Sequence, residues 1–583
     1  MTVSTQFKPL VYQLFVRQFG NKNPTAKQFG TLAENGCGTF NDINDAVINS
    51  LRELNVSHVW LTGVLEHASL TAYPKSKISA DHPEVVKGIA GSPYAIRDYY
   101  DICPDLASSP SKRLPEFKAC LKRLQNAGLK VIIDFVPNHV ARQYVSDALP
   151  KGHQSFGAED DHTRAFDLQN NFYYLPSTEF VTPNGHNAHQ YGIKFESSYQ
   201  EVPAKATGDD RFEPQPSADS WFETIKLNYG YLPGTKTFVG DLNSPPDTWH
   251  KMYNILSYWV GLGVDGFRCD MVELVPDQFW TWVINKLKTN KADLVWIGEV
   301  YDPNKYELYL RQCGFDWLYD KVGMYDLDLA LAKGEPRAND WDSALDQTKA
   351  FHGSLLRFVE NHDEVRIAGK SGAMSPQAGL PALLLAGAAS GGPIMIYNGQ
   401  EVGEPADGAS GYSGDDGKTS IFDYGCMPAV QRWYNDGLAD GGHSTVAERV
   451  LRQDYIQLLQ TLTTQPLLET GLYYGLQYAN KGNSWDYDDR HILSFLRHDK
   501  EGKAVLVVVS MMDRTMTPHV KIPWEAWDAI GLHPERNFLL RDLISTEYIN
   551  FSGFDVLDLR NTQAGVPIPM QPWQGRIFEI VAV

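Results

Sequence analysis

Val131-Ile-Ile-Asp-Phe-Val-Pro-Asn-His139 and Gly266-Phe-Arg-Cys-Asp270 decide how this chain folds. Each is a short apolar run, rich in β-branched or aromatic residues, that stops at polar or charged side chains. Short runs of this kind read as buried strands. The same pattern recurs at Val11 to Phe19, His58 to Gly63, Lys130 to Val136, Val264 to Asp270, Leu294 to Val300, Phe315 to Tyr319, Leu355 to Val359 and Pro393 to Tyr397. Helix-like stretches lie between most of them. Arg113 to Ala127 sets Leu114, Phe117, Leu121 and Leu124 at helical spacing, and Pro276 to Leu287 and Ser375 to Ala388 read the same way. Buried strands alternating with helices predict an α/β fold, a (β/α)8 TIM barrel of parallel strands. A doubly wound open sheet is the alternative that periodicity alone leaves standing.

Two regions break the alternation. From Ala141 to Tyr231 the chain is polar and irregular, with Pro, Gly, Asn and aromatic residues interleaved. A structureless loop of that length is out of keeping with a compact domain, so an inserted domain after the third strand is expected. Beyond the helical stretch Thr445 to Leu462, HILSFLRHD, AVLVVVSMMD and RIFEIVAV are β-rich with turns between them, which predicts a C-terminal antiparallel β-sandwich. The expected division is barrel over 1–140 and 236–470, inserted domain over 141–235 and C-terminal domain over 471–583.

With 583 residues, the chain needs more than one core. Its formal charge of −19 argues against nucleic acid and anionic membranes, which attract clustered Lys and Arg, and suits a neutral substrate. No membrane-spanning segment and no export signal are read, so a cytoplasmic location is the expectation, with a removed signal peptide as the alternative. The six cysteines are scattered without a CxxC pair, which argues against a metal cluster or a disulfide framework.

In a parallel barrel, chemistry sits where the strands end. Here the third run ends in Asp134, Asn138 and His139, the fourth in Arg268 and Asp270, the fifth in Glu299, and the seventh in His362 and Asp363. Any one of these alone is a strand-end salt bridge, and Asp134 reads as structural. Four charged ends converging are too costly to bury without a task. Three carboxylates around one site suit glycoside hydrolysis, in which one ionised carboxylate attacks the anomeric carbon and a protonated one serves the leaving oxygen. Arg268 beside Asp270 is expected to keep that aspartate ionised. Glu299, crowded by Asp270 and Asp363, is expected to hold its proton more tightly.

The segments IIDFVPNH, GFRCD, IGEV and ENHD resemble, in order, the four signatures of the α-amylase family, glycoside hydrolase family 13. The resemblance implies Asp270 as nucleophile, Glu299 as acid/base and Asp363 as transition-state stabiliser. It also implies that Arg268, His139 and His362 line the subsite of the attacked glucose. GSPYAIRDYYDI resembles the family segment whose tyrosine stacks under that sugar, which points to Tyr94; a core aromatic is the plain reading of the same residue. VGDLN, Val239 to Asn243, resembles a short motif near the end of the inserted domain.

Three departures from the family pattern carry expectations. Glu273 and Leu274 stand where many members have Lys-His, which leaves binding on the reducing-end side open. Gly91 stands where members that trim single glucose units have an acidic residue, and so predicts room for a further glucose and internal cleavage. Asn138 and Asp241 match positions that bind structural calcium in many members, and Asn21 and Asn23 offer a second oxygen set. No cofactor is expected for the chemistry, and a structural calcium is left open.

The expected function is retaining hydrolysis of α-1,4 bonds in starch, glycogen or maltooligosaccharides through a covalent glycosyl-enzyme. A transglycosylase on the same site (4-α-glucanotransferase, or a trehalose- or sucrose-directed enzyme) is the alternative, and a non-catalytic glucan-binding relative the remote one. The Gly- and Asp-rich segment Glu401 to Thr419 is expected to border the cleft.

Overall fold

The computed structural model describes residues 8–408, 411–482, 486–545, 547–557 and 564–583. Eight parallel strands form the barrel: β1 (Leu10–Phe15), β2 (His58–Thr62), β3 (Lys130–Phe135), β4 (Gly266–Cys269), β5 (Val295–Gly298), β6 (Trp317–Tyr319), β7 (Leu355–Leu356) and β8 (Ile394–Tyr397). They are hydrogen-bonded in the order β7-β6-β5-β4-β3-β2-β1-β8. Among the described residues, closure between β7 and β8 rests on one bridge, Arg357 to Ile394. The expected seventh strand ran to Val359; paired strand stops at Leu356, and the chain leaves the ladder as it turns toward the site.

Strand alternation explains what fills the barrel. Val11, Trp60, Ile132, Ile297, Tyr319, Leu356 and Met395 pack together as one buried cluster inside it. Residues two further along β3 and β5 share that inward face. Ile132 is therefore followed by Asp134 and Ile297 by Glu299, so an apolar plug gives way to carboxylates at the C-terminal rim.

The surrounding helices include α1 (Asp45–Glu53), α2 (Arg113–Asn126), α3 (Asp247–Leu262), α4 (Asp277–Asn290), α5 (Gly379–Ala388) and α6 (Val446–Thr464). Asn44 caps α1 by accepting from the Val47 amide, and Thr445 with Glu448 forms a capping box on α6. Between β2 and α2 the chain makes an antiparallel hairpin, Leu65–His67 against Ile96–Ile102. After β3 it runs through the long irregular segment, which is tied back by a ribbon pairing His139–Ala141 with Thr224–Lys226.

The C-terminal part forms an antiparallel sheet of β9 (Leu472–Gly475), β10 (Ile492–His498), β11 (Ala504–Ser510), β12 (Asn537–Asp542), β13 (Tyr548–Ser552) and β14 (Gly575–Ala582), ordered β9-β10-β11-β14-β12-β13. The three β-rich segments legible in the sequence are its central neighbours β10, β11 and β14. Val505, Val507 and Val509 join the core shared with the barrel, whereas Ala504, Leu506 and Val508 join a second core with Trp527 of α7 (Trp524–Ile530). The sheet is thus buried on both faces, which is why β11 reads as a continuous apolar run. Among the described residues no helix is long and apolar enough to cross a membrane.

Candidate active site

The strand-end residues converge on one cleft of about 360 Å³, lined by Tyr94, His139, Asp270, Glu299 and Asp363. Asp270 directly follows β4 and Glu299 directly follows β5, whose neighbouring pairs run Arg268 to Ile297 and Cys269 to Gly298. The two carboxylates therefore leave adjacent strands at the same level.

Arg268, fully buried, holds them together. Its Nη1 donates to Asp270 Oδ1 at 2.9 Å, and its Nη2 lies 2.8 Å from Glu299 Oε2. Its Nε donates to Tyr319 Oη at 3.2 Å, while Asp134 Oδ1 stands 3.8 Å from Nη1. The guanidinium also sits 5.2 Å from the Trp60 ring and 5.5 Å from those of Tyr94 and Tyr319. This cation serves a set of carboxylates rather than Asp270 alone.

A second group surrounds His362. Tyr94 Oη hydrogen-bonds to His362 Nε2, and the two rings stack with centroids 5.3 Å apart. Asp363 Oδ2 is 3.0 Å from the same nitrogen, and Gln13 Nε2 donates to His362 Nδ1 at 2.7 Å. With Nδ1 accepting, the ring proton is on Nε2, facing Asp363 and Tyr94. His139 joins this group through a hydrogen bond with the Tyr94 backbone, and its ring lies 5.2 Å from that of Trp221.

Burial sets the electrostatics. Burial first, and then the charge of Glu299, push the Asp270 carboxyl well above its usual range, while Arg268 pulls it down. In the cleft without substrate, burial and the charge of Glu299 thus work against the arginine's pull on Asp270. Burial likewise pushes Asp134 up to about 6 against the pull of Arg268. Asp363 is raised by removal from water, with Arg268 and Lys418 opposing, although 40% of its side chain remains open to the cleft. Burial lowers His139 to about 3, and burial with Arg268 lowers His362 well below its ordinary value, so both imidazoles are neutral.

Several lining residues escaped the sequence reading. Tyr301 Oη donates to Glu299 Oε1 at 2.6 Å, and the Met271 amide donates to Glu299 Oε2 at 2.8 Å. The alternation of Glu299 and Tyr301 was the available signal for the tyrosine. Lys87 and Glu223 form a buried ion pair at 3.0 Å beside Trp221, Ile421 and Phe422 in the same cleft. Sites so far apart in the chain leave no local pattern. Glu273 accepts from the Tyr301 amide at 2.8 Å and pairs with Lys305 at 2.7 Å, so this departure braces the turn that carries Tyr301. Of the segment 401–419, Lys418 acts on Asp363 electrostatically, and residues 409 and 410 lie outside the described residues.

Gly91 has a different cause from the one its sequence context suggests. Its φ is +73°, and an added Cβ would fall 1.7 Å from the Ala68 carbonyl oxygen. Glycine is required there by the main chain at Ala68, just past the strand Leu65–His67, and its presence says nothing about room for sugar.

The calcium expectation at Asn138 meets a cation already in place. Asn138 Oδ1 accepts from Lys226 Nζ at 2.6 Å, and its Nδ2 donates to the Gly208 carbonyl at 2.8 Å. Asp241 is exposed, and its Oδ1 accepts from the Asn243 amide at 2.9 Å. Asn21 and Asn23 direct their amide nitrogens at the carbonyls of Asn35, Gly425 and Glu34. These residues do not fit a calcium ion.

Comparison with known proteins adds the lineage. The family model for the α-amylase catalytic domain matches residues 13–421. The chain is 22% identical to α-amylase 3 of Dictyoglomus thermophilum over 68% of its own length and 64% of that protein. It is 24% identical to an α-1,4-glucan:maltose-1-phosphate maltosyltransferase of Picrophilus torridus over 48% of its length and 34% of that protein. It thus spans less than two thirds of either curated relative. Among solved structures, a maltogenic α-amylase of Thermotoga neapolitana superposes with a TM-score of 0.57 at 19% identity, covering 99% of each chain. An α-amylase of Lactobacillus plantarum gives 0.59 at 19% identity, covering 98% of this chain and 99% of that one. At these identities the superpositions speak for the fold.

Proposed function

Because this chain belongs to the α-amylase catalytic-domain family, whose members are glycoside hydrolases, we propose that it is a retaining hydrolase of α-1,4-glucosidic bonds in starch, glycogen or maltooligosaccharides. The observation that carries this reading is the sharing of one buried guanidinium by Asp270 and Glu299 in a cleft that also holds Asp363.

An Asp270 oxygen attacks the anomeric carbon as the bond to the leaving glucan oxygen breaks. Glu299 gives that oxygen its proton. Glu299, now a carboxylate, takes a proton from water while the water oxygen attacks the same carbon and the bond to Asp270 breaks. Two displacements return the α configuration. Asp363, with His362 and Tyr94 beside it, binds the hydroxyls of the attacked glucose, and Arg268 keeps the two reacting carboxylates at the same level.

Digestion of maltoheptaose followed by NMR tests this. Shorter maltooligosaccharides released in the α form are expected; a β product in the first minutes would overturn the mechanism. A relative named as a maltosyltransferase supports a second reading, in which a sugar hydroxyl replaces water. One new reducing end per bond broken favours hydrolysis, and none favours transfer.

A further inference from the structure

Away from the cleft, the hairpin that follows β2 carries an unusual concentration of acid. Leu65 pairs with Ile102 and the next residue, Glu66, pairs with Asp98, so the intervening residues 99–101 bulge out of the ladder. The bulge leaves Asp101 beside Glu66. The start of the long irregular segment closes over both, because Ser146 Oγ donates to Asp98 Oδ1 at 2.7 Å and the Ala148 amide donates to Asp98 Oδ2 at 3.0 Å. Asp147, between these two anchors, adds another carboxylate. Oxygens of Glu66, Asp101 and Asp147 all lie within 4.8 Å of one another.

Of the two arginines nearby, Arg97 is held mainly outside the cluster and Arg113 is spent on one oxygen of Asp101. Arg97 reaches Glu66 Oε1 only at 3.8 Å and is held by Asp81 at 3.2 Å and by the Ser79 carbonyl. Arg113 pairs with Asp101 Oδ2, and the Ile102 amide donates to Asp101 Oδ1 at 2.7 Å. Glu66 is 2% exposed, and its Oε2 has no hydrogen-bond partner. A buried carboxylate oxygen without a donor, facing two further carboxylates, is costly unless a cation completes it.

We propose that Glu66, Asp101 and Asp147 bind a calcium ion that fastens the start of the irregular segment to the hairpin. An all-oxygen, carboxylate-rich set selects a hard cation. Calcium bonds at about 2.3–2.6 Å, so opposite ligands stand up to about 5 Å apart, whereas magnesium at about 2.0–2.1 Å spans only about 4.2 Å. Asp147 is exposed, which gives the ion a way in and the remaining coordination to water. The site is separate from the Asn138 position that Lys226 fills. Its consequence for the cleft runs through the hairpin, whose strand begins two residues after Tyr94.

Thermal unfolding of the full chain stripped with EDTA, then given millimolar calcium chloride or magnesium chloride, tests the site. Calcium at well above its dissociation constant is expected to raise Tm by about 3 °C, and magnesium by less. Asp147→Asn and Glu66→Gln are each expected to lose the calcium increment. Asp147 is exposed, so that variant reads the site even if the buried substitution impairs folding. No increment in the wild-type chain, or an undiminished increment in Asp147→Asn, would overturn the proposal. None of these readings depends on the sugar chemistry.

Discussion

Lys226 Nζ stands between Asn138 Oδ1 at 2.6 Å and Asp210 Oδ1 at 2.9 Å. It thereby pins the irregular segment to the turn after β3. Lys226→Met keeps the length of the stem but leaves Asn138 Oδ1 without its donor and Asp210 without its cation. A loss of about 2 kcal/mol is expected, chiefly from the buried Asn138 Oδ1 left without its donor, since Asp210 is exposed. It would be read as a lower urea midpoint with unchanged slope; a midpoint equal to wild type would show that the contact is dispensable.

Asp270→Asn retains the shape of the side chain and cannot form the glycosyl bond. Turnover should fall by several orders of magnitude, more than about 4 kcal/mol at about 1.36 kcal/mol per tenfold, with glucan binding still measurable. Activity within about tenfold of wild type would remove Asp270 from its role.

Glu299→Gln removes the proton donor, so maltooligosaccharides should suffer far more than a glycosyl fluoride, which needs little protonation to leave. Tyr301→Phe deletes only the hydrogen bond to Glu299 Oε1. A loss of about tenfold to a hundredfold in kcat on maltooligosaccharides is expected, the scale of a hydrogen bond to a charged group. Equal losses on both substrates in Glu299→Gln would contradict the acid assignment.

His139 gives a pH signature. Its folded value is about 3 against 6.5 for the free side chain, because burial disfavours the imidazolium. Between those values the unfolded chain binds more protons, so this residue's contribution is full above pH 6.5 and is lost as pH falls toward 3. His139→Gln lacks that term. The wild-type advantage over the variant in urea unfolding should therefore shrink by about 2 kcal/mol between pH 7 and pH 5. An equal difference at both pH values would mean that His139 is not held neutral.

Gly91→Asp would place a carboxylate where exo-acting relatives are expected to carry one. With φ at +73° and the Ala68 carbonyl 1.7 Å from an added Cβ, the outcome here should be unfolding rather than altered cleavage. A loss of more than about 2 kcal/mol, read by thermal melting, is expected. A stable variant that now releases only glucose would restore the specificity reading.

The contrast between Gly91 and Asp270 shows what a sequence carries. Asp270 and Glu299 were legible because strand alternation and the strand's end put them at a rim whatever the loops do, whereas Asp363, seven residues past the end of β7, was legible only through the ENHD segment. Gly91 was misread because a missing side chain can reflect crowding from any direction, and the Ala68 carbonyl is invisible until the chain is folded. Lys226 and Asn138 are 88 positions apart, and Lys87 and Glu223 are likewise too distant along the chain for any short pattern to link them. The barrel was readable for the same reason as Asp270 and Glu299. The closing contact at Arg357 was not, since strand propensity in Leu355 to Val359 promised a longer pairing than the turn toward His362 permits.

That closing contact makes the C-terminal sheet part of the barrel's mechanical support. Only the Arg357 and Met395 amides zip β7 to β8, donating to Pro393 and Arg357 carbonyls at 3.1 and 2.8 Å among the described residues. The helix that crosses from one strand to the other, α5, is buried at every residue except Leu380. Leu384 packs against Gly575 at the start of β14, and Arg497 of β10 caps the last turn by donating to the Ala388 carbonyl at 3.1 Å. The sheet therefore acts as a splint laid along the seam, and His362 and Asp363 hang from the strand beside it. Loosening the splint would slacken the hoop at the one stave that carries two groups of the cleft, so a lesion far from the sugar would be felt as lost alignment at Asp363.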